Sequence, residues 1–266
     1  MDALSAAAGA RDVPVLPRVI GHRGAAAAAP ENTLASLRRA KELGAAWVEF
    51  DVKLTRDGVP VLIHDDRLER TTDGAGRVAD TSFAALRRLD AGGWFGPAFR
   101  GEQVPTLDEA LALCAELGLG INVEIKPCPG RAAETAHITL ERLQAVWPTD
   151  CPAPLISSFA PACLAVAQKI APSLPRGYLC VRLSRQWPAQ LAQFGCRTLH
   201  ASHSWIRRGQ VAQLAARGVP LLLYSVNDGA RARDLLARGA TAVFTDCVSE
   251  VLAAVGEVPA PPGTSR

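Results

Sequence analysis

The chain of 266 residues carries 29 Lys and Arg against 26 Asp and Glu, a net charge of +3, and is 48% hydrophobic and 21% charged. That composition is ordinary for a globular protein long enough to bury a substantial core. The weak charge and scattered arginines exclude the dense basic stripe of a nucleic-acid binder, and no apolar run is long enough to insert stably across a bilayer.

The first seventeen residues, MDALSAAAGARDVPVLP, lack the basic region and apolar core of a secretory signal and are expected to form a flexible lead. RVIGHRG (18–24) is predicted as a strand ending in a turn. ENTLASLRRAKELG (31–44) has the polar start and glycine stop of a helix. AWVEFDVKL (46–54) is the next strand, and RDG turns it into VPVLIH as a hairpin. Residues 66–105 are rich in glycine and lack periodicity. So long a stretch in a compact domain is usually functional, and here it is expected as an insertion over one end of the fold.

Rhythm returns with TLDEALALCAELG, a helix opened by Thr106 with Glu109 three residues on, which is the capping-box pattern. INVEIK, PLISSF, PRGYLCVR, CRTLHAS, VPLLLYSV and ATAVFTD then alternate as strands with Ala/Leu-rich helices, up to CVSEVLAAVG. Eight strand–helix units predict a single (β/α)8 TIM barrel over residues 18–257. An open doubly wound sheet is the competitor, but no G-x-G-x-x-G follows the first strand. Residues 258–266 are expected to form a flexible tail. Seven cysteines with no C-x-x-C pair or finger spacing favour reduced thiols and a cytoplasmic protein.

In such a barrel, chemistry gathers where strands end. His22 and Arg23 end the first strand, Glu49 and Asp51 lie on the second, His64 closes the hairpin, and Glu124 and Lys126 lie on INVEIK. Strand side chains alternate, so Glu49 and Asp51 share a face, and Glu124 joins them from the neighbouring strand. Three close carboxylates need a cation or raised pKa values, and all-oxygen ligation suits one divalent Mg2+ or Ca2+. Two histidines supply an acid and a base near neutral pH. Arg23 and Lys126 supply positive charge for an anionic substrate. A phosphoester-cleaving site follows.

HRGAAAAAPENT (22–33), VEFDVKLTRDGVPVLIHD (48–65) and NVEIK (122–126) resemble, in order, the H-R-G…P-E-N-T opening, the E-x-D…T-x-D-G…H-D block and the third-strand motif of the glycerophosphodiester phosphodiesterase family. The resemblance spans residues 18–247 and implies metal-dependent hydrolysis of glycerophosphodiesters to an alcohol and sn-glycerol 3-phosphate. It implies His22 and His64 as the acid–base pair, in either order, and Glu49, Asp51 and Glu124 as metal ligands. It further implies Arg23 and Lys126 as phosphate contacts and Glu31 as a supporting residue. The attacking oxygen is either water or a neighbouring substrate hydroxyl.

The chain departs from the family pattern at Tyr224, where Trp is frequent, and at Val248, where Pro is. It also has no acidic residue in RGYLCVR, where some members carry a fourth carboxylate. Ser157, Phe159, Trp205, Tyr224 and Asn227 are candidate pocket walls, while His137, His200 and His203 are expected as structural hydrogen-bonders. Two alternatives remain: a lysophospholipase D-type activity approached past Trp94, Phe95 and Phe99, and a non-catalytic phosphate-binding barrel. A small-molecule diester is the expected partner, with no nucleic acid.

Overall fold

In the computed structural model the described residues are 14–257, so the expected tail and residues 1–13 of the lead lie outside them. The elements run β1 (Val19–Gly21), α1 (Leu34–Glu42), β2 (Trp47–Leu54), β3 (Pro60–Leu62), α2 (Phe83–Leu86), α3 (Leu107–Glu116), β4 (Gly120–Ile125) and α4 (Ala132–Val146). They continue as β5 (Leu155–Ser158), α5 (Pro161–Ile170), β6 (Arg176–Cys180), α6 (Trp187–Phe194) and β7 (Thr198–Ser202). The last are α7 (Arg208–Ala216), β8 (Leu221–Tyr224), α8 (Gly229–Ala237), β9 (Ala242–Thr245) and α9 (Val248–Val255). The order β1-β9-β8-β7-β6-β5-β4-β2, closed by the pairing of β1 with β2, is the (β/α)8 barrel that the rhythm predicts.

The strands alternate their side chains between two cores. One face packs against the helices, through residues such as Val48, Phe50, Val52, Ile121 and Val123. The other fills the lower barrel with Ile20, Trp47, Leu155, Leu222, Ala242 and Phe244. Because β2 carries Trp47 on the inner face, its period of two brings Glu49, Asp51 and Lys53 inward above that apolar plug. β4 lies beside β2 with Asp51 opposite Glu124 and Glu49 opposite Asn122, so the sheet register brings the acidic groups together.

β1 meets β2 only at Val48, and farther along β2 the antiparallel β3 pairs with Val52, Lys53 and Leu54. The hairpin therefore begins where the first strand has left the sheet. Residues 66–105 follow it and close over a small second core shared with the hairpin and the loop after β4, formed by Val61, Ile63, Leu68, Val78, Leu86, Ala91, Val104 and Cys128. The capping box at Thr106 forms as expected.

The α1 helix starts later than the polar stretch suggests, at Leu34 with Thr33 as its cap. Asn32 sits in the left-handed region at φ 57°, and the side chains of Glu31 and Asn32 bond to Arg23 and Asp51. The first three residues of the expected helix are thus loop that serves the barrel mouth.

Candidate active site

The loop after β1 is pinned before any ligand arrives. Arg23 has φ 51°, a strained conformation for a non-glycine residue. Its amide donates to Glu49 Oε2 at 3.0 Å, and its carbonyl accepts from Asn32 N and Ser36 Oγ. Gly24 follows at φ 87°, and a Cβ there would lie 2.4 Å from Ser36 Oγ, so the glycine of H-R-G lets α1 press onto the turn.

One ligand oxygen each from Glu49, Asp51 and Glu124 lies within 4.8 Å of the others, and all three residues are buried. Burial raises the Glu49 carboxyl well above its ordinary range, and the charges of Asp51 and Glu124 add to that. Burial and then Asp51 bring Glu124 up to about 7. Burial acts the same way on Asp51, but Lys126 and Arg23 outweigh it and hold that carboxylate below its usual range. Lys126 Nζ stands 3.4 Å from Asp51 and 3.1 Å from Glu124, and Arg23 Nε stands 3.3 Å from Asp51. Asn32 Nδ2 donates to Asp51 Oδ2 at 2.9 Å. Glu49 Oε1 is buried with no hydrogen-bond partner. Lys126 and Arg23 balance the three clustered carboxylates only in part, and that Glu49 oxygen is left unsatisfied. The donor set fits one hard divalent cation.

Each of the two histidines is held by a carboxylate on Nδ1. Asp246, in the turn after β9, accepts from His22 at 2.7 Å, and Asn227 Nδ2 fixes its other oxygen at 2.7 Å. Asp65 meets His64 at 2.6 Å and is clamped by Arg70 from residues 66–105. Hydrogen bonds from Arg70 and His64 keep Asp65 ionised far into acid, against the effect of burial. Burial lowers the pKa of His64, and this outweighs the opposing pull of Asp51. With Nδ1 committed, Nε2 is left in each ring to exchange a proton.

Glu31 joins these groups, accepting from Arg23 at 2.7 Å and from both terminal nitrogens of Arg70 at 2.7 and 2.8 Å. Its carboxyl is lowered: burial opposes ionisation, but the Arg70 bonds and the charges of both arginines prevail.

Six of these residues, His22, Arg23, Glu49, His64, Glu124 and Lys126, line a cavity of about 240 Å³ at the C-terminal end of the strands. Its walls include Ser157, Phe159 and Tyr224 from the candidate set. Asn227 instead serves Asp246, and Trp205 stands outside the lining with Arg182 stacked 3.5 Å above its ring. His200 lines the cavity too, bonded through Nε2 to Thr198 at 2.9 Å. His137 pairs with Glu141 on α4. Trp94, Phe95 and Phe99 pack edge to face on one another and do not line the cavity.

Sequence reasoning missed Asp246, Asp65, Asn32 and Arg70. Asp65 and Asn32 were visible inside the quoted motifs, as H-D and E-N-T. Asp246 and Arg70 gave no signal of their role, because each acts on a partner brought near only by folding.

The glycerophosphoryl diester phosphodiesterase family model matches residues 22–250. The Bacillus subtilis (strain 168) protein YhdW is 32% identical over 232 residues, 86% of this chain and 93% of that protein. A glycerophosphodiester phosphodiesterase of the same organism is 30% identical, covering 85% of this chain and 82% of its own. Among solved structures, an Oleispira antarctica phosphodiesterase in complex with its product sn-glycerol-3-phosphate superposes with a TM-score of 0.88. It is 41% identical and covers 91% of this chain and 97% of that one. A glycerophosphodiester phosphodiesterase from Agrobacterium tumefaciens strain C58 has a TM-score of 0.72 and 27% identity, over 90% of this chain and 100% of that one.

Proposed function

Because the chain belongs to the glycerophosphoryl diester phosphodiesterase family, we propose that it hydrolyses glycerophosphodiesters to an alcohol and sn-glycerol 3-phosphate at the mouth of its barrel. The observation that carries this reading is the meeting of three buried carboxylates with two carboxylate-held histidines around one cavity. The product bound by the Oleispira antarctica relative supports the same reaction.

Glu49, Asp51 and Glu124 are the residues that would hold one Mg2+ or Ca2+, and the unpartnered Glu49 Oε1 supports that role. When bound, the ion would supply positive charge against the phosphoryl oxygens. Arg23 and Lys126 contact the phosphate, and their stabilisation grows as negative charge builds on its oxygens. Glu31 is a positioning residue that aims the Arg23 guanidinium.

His22 and His64 share the proton work. One takes a proton from the attacking oxygen as it bonds to phosphorus. The other gives a proton to the alcohol oxygen as its bond to phosphorus breaks. Asp246 and Asp65 hold the two rings in the tautomer with Nε2 available.

The test is release of sn-glycerol 3-phosphate from glycerophosphocholine, with and without chelator, by wild type and His64→Ala. The expected result is release that stops with EDTA, returns with Mg2+ or Ca2+, and falls about 10²- to 10⁴-fold in the variant. Release that survives both chelation and the substitution would overturn the site assignment.

A further inference from the structure

From Cys151 to Asn227 the chain has no Asp or Glu, yet it carries eight Lys and Arg residues. Since the whole chain is only +3, everything outside this stretch is net acidic. The stretch covers β5, β6, β7 and β8, which together form one side of the barrel. Arg182 and Arg185, after β6, and Arg207, after β7, are exposed in the loops at the end of the barrel where the cavity opens.

Exposed apolar groups gather at the same place. Phe159 is 38% exposed after β5, Val181 is 51% exposed after β6, and Trp205 is 52% exposed after β7. Phe159 and Val181 line the cavity, and the Arg182 guanidinium carbon stands 3.5 Å over the Trp205 ring. Three consecutive loops thus offer apolar surface on one rim, and two of them add exposed arginines.

We propose that this rim docks onto an anionic lipid surface. Binding at such a surface needs apolar area and cations together. Tryptophan settles at headgroup level, and each Arg or Lys near the surface adds about fivefold to partitioning. A guanidinium stacked on an indole suits that boundary, being weakly hydrated and flat. A nucleic acid fits less well, because Arg182 already covers the Trp205 face on which a base would stack. Docked this way, the cavity faces the surface between Phe159 and Val181, where a diester carried on a lipid can enter. That last consequence rests on the proposed function; the docking itself does not.

The test is sedimentation of the full chain with vesicles of phosphatidylglycerol and phosphatidylcholine, or of phosphatidylcholine alone, at low and high salt. Glycerophosphocholine hydrolysis is followed in parallel. Wild type is expected to partition onto the anionic vesicles only, and to leave them at high salt. Replacing Arg182 and Arg185 together by Glu should lower partitioning on the order of twentyfold or more. Trp205→Ala should lower it several-fold by an uncharged route, and turnover of the soluble diester should not change in either variant. Wild type that ignores anionic vesicles, binds neutral ones equally, or prefers single-stranded nucleic acid would overturn the proposal, as would variants that bind like wild type. Vesicle binding without any diester hydrolysis would leave the docking standing and count against the proposed function.

Discussion

His22 and His64 hold the same kind of partner but reach it differently. His64 takes its carboxylate from the next residue, and His22 takes one 224 positions away. The three acidic groups were legible because alternation on a strand is a strict rule, and β2 and β4 obey it. Asp246 was not legible, since closing the barrel is what brings the turn after β9 beside the turn after β1. Asp246→Asn is expected to lower kcat by about 10²-fold or more while leaving KM nearly unchanged, because tautomer control acts on proton transfer rather than on binding. Steady-state kinetics on the soluble diester check this. A KM effect with kcat intact would mean that Asp246 serves binding.

At the scale of elements, the strand–helix alternation and the capping box were open to reading, because they depend on local patterns of apolar and polar residues. The boundaries near the mouth were not. Glu31 and Asn32 look like the start of a helix until Arg23 and Asp51 are there to bind them. The same limit applies to β6, whose Gly177 reads as an ordinary weak point in a strand. In the barrel a Cβ at Gly177 would stand 2.4 Å from His200 Nε2 and 2.7 Å from Thr198 Oγ1 on β7. Gly177→Ala is therefore expected to destabilise the fold by roughly 1–3 kcal/mol through overpacking, read as a lower urea midpoint. No change in midpoint would mean that His200 swings aside freely.

For the molecule as a whole, His200 also ties stability to pH. Burial pushes its pKa down to about 3, from an ordinary 6.5. The unfolded chain then binds the proton more readily, so this contribution is complete above about 6.5 and is lost as pH falls towards 3. Asp51, Asp65 and Asp246 are also held below their usual range and add a loss of the same sign at lower pH. Comparing wild type with His200→Gln separates the two: between pH about 6 and about 4 the variant's melting temperature should fall less steeply. Parallel slopes would show that His200 is not the source.

The barrel also divides its labour along the chain. The proposed acids, bases and phosphate contacts come from residues 22–126 and the turn at Asp246, while β5, β6 and β7 and their loops contribute the cavity wall of Ser157, Phe159, Leu179, Val181, His200 and Ser202. Inheritance can therefore act on the two stretches separately. Descendants that exchange the loops after β5, β6 and β7 would acquire new substrates while the reaction passed down unchanged, and a protein engineer could graft those loops between relatives for the same reason.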